Sequence, residues 1–105
     1  MGKDLDILNE NEISSRLNDF PGWNYKNNKI SKEFKFRDFM DCLSFIVKIS
    51  SIFEINDHHP DIHIYYSKIV FELQRFDIGG KVTNLDFKIA KIIEDSYNEY
   101  KKMLD

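Results

Sequence analysis

The segment at residues 37–55, RDFMDCLSFIVKISSIFEI, constrains the fold more than any other part of the chain. Phe39, Cys42/Leu43, Ile46, Ile49 and Phe53 recur at intervals of three and four, which predicts a helix with a wide apolar stripe. Such a stripe has to be buried against another layer. The segments on either side carry the other period, two. WNYKNNKISKEFKF reads as a hairpin, with Trp23 and Tyr25, a turn at Asn27-Asn28, then Ile30, Phe34 and Phe36. IHIYYSKIVFELQRF divides into two strands around Tyr66-Ser67-Lys68. In its second strand Ile69, Phe71 and Leu73 share one face, and Val70, Glu72, Gln74 and Phe76 the other.

Two further helices flank these units. Leu5, Leu8, Ile13 and Leu17 suit a helix over about residues 10–18, closed by Pro21-Gly22. Near the other end Thr83 has the character of an N-cap. Asp86 stands three residues later in the place of a capping-box Glu, and Phe87, Ala90, Ile93 and Tyr97 form the inner stripe. The order helix, two strands, helix, two strands, helix implies an α+β domain spanning residues 1–105. Its four-stranded antiparallel sheet has polar residues on one face and three helices on the other.

Charge and cysteine content narrow the function. A net charge of −3 and a pI near 5.6 argue against direct nucleic-acid binding, which needs clustered Lys and Arg. One cysteine, Cys42, forms no internal disulfide and no thiolate metal cage, and its apolar neighbours suggest a buried thiol. No apolar run approaches membrane-span length, the first residues are acidic, and Asp6 falls where a myristoylation signal needs Ser or Thr. A cytoplasmic protein with no membrane partner is the expectation.

All three histidines lie in EINDHHPDIH, residues 54–63. Acid–base chemistry is one reading, because adjacent imidazoles offer a donor and an acceptor near neutral pH. If the second helix runs as far as Asp57, Glu54 stands one turn before His58 and could orient or charge it. Pro60 would stiffen the segment. A metal site is the second reading, with Asp57, His58, His59, Asp61 and His63 as ligands. Consecutive extended residues point to opposite sides, and no second ligand cluster exists, so this reading is weak. The third is a polar connection between helix and strand. His63, alternating with Ile62 and Ile64, reads as a solvent-face residue.

FEINDHHPDIHIYYSKI, followed by a Gly-Gly loop and Thr83-Asn84-Leu85-Asp86, resembles the pterin-4a-carbinolamine dehydratase family. The family pattern is an acid, three residues, His-His-Pro, an aromatic in the next strand, a further His or Trp, then Asp. Glu54, His58, His59, Pro60, Tyr66 and Asp86 meet it, and FPGW and KFRDFMDCLSFI look like two upstream family segments. The resemblance spans about residues 8–97. It implies dehydration of 4a-hydroxytetrahydropterin to quinonoid dihydropterin, in tetrahydropterin recycling, with no metal or organic cofactor. It implies His58 as donor to the departing hydroxyl, His59 as assistant in proton removal and Glu54 as the acid that orients His58. Phe76, Asp77, Asp86 and Pro60 are implied around the substrate.

Two departures qualify the resemblance. The family's third histidine is replaced by Phe76, which can stack on a pterin but cannot transfer a proton; this implies unequal handling of the two 4a epimers. There is also one extra residue in GGKVT. The resemblance further implies a homodimer or homotetramer formed through sheet edges and the second helix. An alternative function is catalytically weak pterin or partner binding, since relatives act as a dimerisation cofactor for a homeodomain transcription factor or as assembly factors.

Overall fold

Asn27 and Asn28 both adopt left-handed backbone, with φ of 54° and 63°, as the tight two-residue turn between antiparallel strands requires. They join β1 (Asn24–Lys26) to β2 (Lys29–Lys35). The computed structural model, which describes residues 6–75 and 79–104, has α1 (Glu10–Leu17) before this hairpin and α2 (Phe39–Ile55) after it. A second hairpin of β3 (Asp61–Tyr65) and β4 (Lys68–Leu73) follows, then α3 (Asn84–Met103). The sheet is antiparallel throughout, in the order β1-β2-β4-β3. This is the α+β arrangement that the alternation of periods predicts.

Register decides which side chains meet. Ile30 pairs with Leu73 and Phe34 with Ile69, while Ile62 pairs with Phe71 across the other ladder. These residues share one face and pack with Ile13, Cys42, Phe45, Ile49, Phe53, Phe87, Ala90 and Ile93 of the helices in a single core. The opposite face carries Glu33, Lys35, His63 and Glu72 toward solvent, as their alternation requires. Phe34 is the hub of the core aromatics, with its ring edge-on to those of Trp23, Phe71 and Tyr97 at 6.0, 5.8 and 4.9 Å.

The phase of α2 differs from the predicted stripe. Cys42, Phe45, Ile49 and Phe53 are buried, whereas Phe39 is 44% exposed and Leu43 and Ile46 lie only partly inside. The helix is apolar on most of its circumference, so spacing alone leaves its rotation open. Aromatic packing selects it: the Phe45 ring lies 5.0 Å from Phe36 and 6.3 Å from Phe71. Cys42 is fully buried, and desolvation, aided by the charges of Asp38 and Asp41, pushes its thiol above the usual range.

The connection from α1 to β1 turns at Gly22, whose φ of 88° favours glycine. A Cβ there would come within 2.8 Å of the Lys32 side chain. Lys32 donates to the Pro21 carbonyl and pairs with Glu94 of α3, which also accepts from the Trp23 indole at 3.0 Å. One carboxylate thus ties the Pro-Gly-Trp turn to the last helix. Among the described residues no helix is long and apolar enough to cross a membrane.

Removal of the central ring tests this core. Phe34→Ala should lower unfolding free energy by about 3–5 kcal/mol, read as a shift of the urea midpoint with an unchanged slope. A loss under about 1 kcal/mol would mean that the hub carries no special weight.

Candidate active site

The C-terminus of α2 creates the site. Asn56 caps the helix and Asp57 turns left-handed at φ 48°, a conformation that Asp tolerates better than most residues. The Asp57 N–H then bonds the Glu54 carbonyl at 3.2 Å and the His58 N–H bonds the Phe53 carbonyl at 3.0 Å. This is the Schellman closure of a helix, made here without glycine. It reverses the chain and sends the next two side chains to opposite sides.

His58 goes inward. Only 5% of it is exposed, and its Nε2 pairs with the carboxylate of Asp86, which is fully buried. The other Asp86 oxygen accepts from the Thr83 N–H at 2.8 Å and from the Thr83 hydroxyl at 3.4 Å. Asp86 therefore serves the predicted first turn of α3 and holds His58 as well. Expected among the substrate contacts, it lies instead fully buried behind the imidazole. Pro60 is also buried and shapes the chain instead of presenting a surface.

His59 goes outward, and its Nε2 pairs with Glu54. The expected pairing of Glu54 with His58 is overturned. That pairing needs helix as far as Asp57, but α2 ends at Ile55, and the reversal carries His59 back over the last helical turn. Each histidine thus has its own carboxylate, one pair buried and one exposed. Phe76 and Asp77, expected at the substrate, lie outside the described residues.

Both histidines border an open pocket of about 340 Å³ together with Asp57 and Asp61. Its other wall comes from the end of β4 and the residues just after it: Glu72, Gln74 and Arg75. Sequence reasoning missed this wall. The period of β4 places Glu72 and Gln74 on its polar face, but only the register, in which Glu72 pairs with Asp61, brings that face beside the histidine segment.

Glu72 is the best-anchored acid of the wall. It accepts from Lys29 at 3.2 Å and faces the Nε2 of His63 at 3.0 Å. The His63 contact, helped by Lys29, holds its carboxyl below the usual range against the opposing effect of burial. Lys29, drawn mainly by Glu72 and also by Asp61 at 3.5 Å, is raised in turn. His63 occupies the solvent face as expected, its ring stacked beside that of Tyr65. Among the described residues no group of three or more His, Cys, Asp or Glu side chains is placed to hold a metal ion.

The chain is similar to known proteins over most of its length. The family model described as "Pterin 4 alpha carbinolamine dehydratase" matches residues 6–96. A protein of Sulfolobus acidocaldarius, provisionally named pterin-4-alpha-carbinolamine dehydratase, is 48% identical over 86 residues, covering 82% of this chain and 93% of its own. One of Prochlorococcus marinus (strain MIT 9515), named in the same way, is 38% identical over 93 residues, covering 89% and 96%. A crystal structure from Brucella melitensis, described as a transcriptional coactivator/pterin dehydratase, superposes with a TM-score of 0.81 at 28% identity. It covers 88% of this chain and 99% of that one.

The anchored wall has a pH signature. A carboxylate whose folded-state pKa is depressed contributes stability that is fully present above its unfolded value, here about 4.5. That contribution is lost as pH falls through the lower folded value. Glu72→Gln should therefore destabilise at pH 7 and cost progressively less as pH falls below 4.5. Urea titrations of both proteins across this range check it; a constant difference would contradict the ion-pair origin.

Proposed function

Because the chain belongs to the pterin 4 alpha carbinolamine dehydratase family, we propose that it removes water from 4a-hydroxytetrahydropterins to give quinonoid dihydropterins, as in tetrahydropterin recycling. The observation that carries this reading is the pair of histidines, each held by a separate carboxylate, on one pocket. Loss of water from a carbinolamine needs one proton delivered to the hydroxyl on C4a and one removed from a ring nitrogen. The nitrogen lone pair then forms the new C=N bond as water departs.

Two imidazoles in unlike surroundings suit these two tasks. With Nε2 of His58 committed to Asp86, its Nδ1 is the atom left to exchange a proton with a ligand. His58 delivers the proton to the departing hydroxyl. His59 takes the proton from the ring nitrogen and, being exposed, passes it to water. Glu54 positions His59, and Asp86 positions His58. The two protons balance, so the chemistry calls for no metal or organic cofactor. A role restricted to partner binding would leave two oriented imidazole–carboxylate pairs without a use.

The test is the dehydration rate of freshly generated 4a-hydroxytetrahydropterin above the uncatalysed background. His58→Ala and His59→Ala should each lower kcat by about 10²–10⁴-fold. Glu54→Gln should lower it less and add little in the His59→Ala background, because the two act as one unit. Variants that stay folded with wild-type rates would overturn the reading.

We also propose that a second copy of the chain covers the outer face of α2. Met40, Val47 and Ile55 lie seven or eight residues apart on this helix and are 64%, 73% and 81% exposed, with Phe39 beside them. Large apolar side chains this exposed, interrupted only by small or polar residues such as Ser44 and Ser51, are a feature of interaction surfaces. The wild type should sediment as a dimer or larger assembly, and Val47→Glu should shift it toward the monomer. Identical sedimentation of the two would remove this face from the interface.

A further inference from the structure

We infer that Glu72 is a specificity-determining residue of the pocket, its free carboxylate oxygen accepting a hydrogen bond from the 2-amino group of the pterin ring. The inference rests on the proposed pterin chemistry and adds the part of the ring that the histidines do not address. Both anchoring contacts of Glu72, to Lys29 and to His63, fall on Oε1. Among the described residues none bonds Oε2. The side chain is 28% exposed and lines the pocket, so Oε2 is offered to a ligand from a carboxylate that its neighbours already hold still.

The chemistry of the ring fits this offer. The pyrimidine half of a pterin presents the exocyclic 2-amino group next to N3–H, an edge of donors only. A fixed acceptor with full negative charge is its natural complement, and hydrogen bonds to charged groups are the stronger kind. The other acids of the pocket are less suited. Asp57 is exposed on the reversal after α2, and Asp61 is exposed and turned toward Lys29. Glu72 alone is tied from two neighbouring strands.

Position agrees as well. Glu72 stands directly across the ladder from Asp61, which follows His59 by two residues. Two residues of extended chain and one strand spacing, about 7 Å and about 5 Å, separate the imidazole segment from the carboxylate. One pyrimidine ring, with a hydrogen bond to the hydroxyl on C4a at one side and to the 2-amino group at the other, spans a gap of this scale.

The sequence neighbourhood offers no motif for this role. His63 and Lys29 come from β3 and β2, on either side of β4, and only strand order makes them partners of one acid. Their contacts also hold this carboxyl below the usual range in an already acidic pocket. Without them a ligand would have to pay the cost of orienting a loose side chain.

Calorimetric titration with a dihydropterin and with the matching dihydrolumazine, in which a 2-oxo group replaces the amine, tests the assignment. Wild type should prefer the amino ring by about tenfold or more, since the oxo group sets an acceptor against an acceptor. In Glu72→Gln the preference should fall to within about threefold, because the amide can donate to the 2-oxo group. Lys29→Met, which keeps the carboxylate and loosens it, should reduce the preference by a smaller factor and serves if the first variant folds poorly. An undiminished preference in Glu72→Gln, or equal binding of both rings by wild type, would overturn this inference and leave the dehydratase reading standing. Failure of wild type to bind either ring would overturn both.

Discussion

Asp86 is the point on which the site and the fold both rest. A buried carboxylate is tolerable only when its lone pairs are occupied, and here they are shared between the first turn of α3 and the imidazole of His58. The same charge therefore satisfies an orphan amide of the helix terminus and fixes a ring that faces the pocket. α3 in turn contributes the largest share of helical residues to the core, so an error in its capping would reach the sheet through Phe87, Ala90 and Ile93. Chemistry and architecture are not separable at this residue.

The reversal after α2 does the complementary task. A straight helix would put residues 54 and 58 on one face and leave His59 elsewhere. Ending the helix at Ile55 and turning at Asp57 hands the first histidine to the interior and the second to the surface. Pro60 then leads directly into β3, whose first residue, Asp61, already pairs with Glu72. Helix end, turn and strand start thus occupy seven residues, 55–61. Compression of this kind brings a helix terminus and a sheet corner around one pocket without a long loop.

Much of the fold was legible because each element announces itself locally. The hairpin turn at Asn27-Asn28 uses residues that accept positive φ, and Thr83 with Asp86 marks the start of α3 before any contact is known. The burial of Cys42 followed from its neighbours. What was not legible depended on contacts distant in sequence. The rotation of α2 was decided by Phe36 and Phe71, which the helix's own apolar pattern cannot reveal. The spacing of Glu54 and His58 suggested a pair only on the assumption of an unbroken helix. The family pattern pointed to Asp86 but not to its burial beneath His58. Glu72 belonged to no motif, since its partners come from two other strands.

The buried thiol has a practical consequence. Cys42 is the sole cysteine, has no accessible surface and sits in the middle of the core against the sheet, with its ionisation suppressed by its surroundings. Thiolate is the reactive form, so a thiol reagent meets this side chain only when α2 lifts away. The chain carries a built-in clock for its own opening. Labelling kinetics followed by mass would count excursions from the native state one molecule at a time, with no engineered probe to disturb the packing.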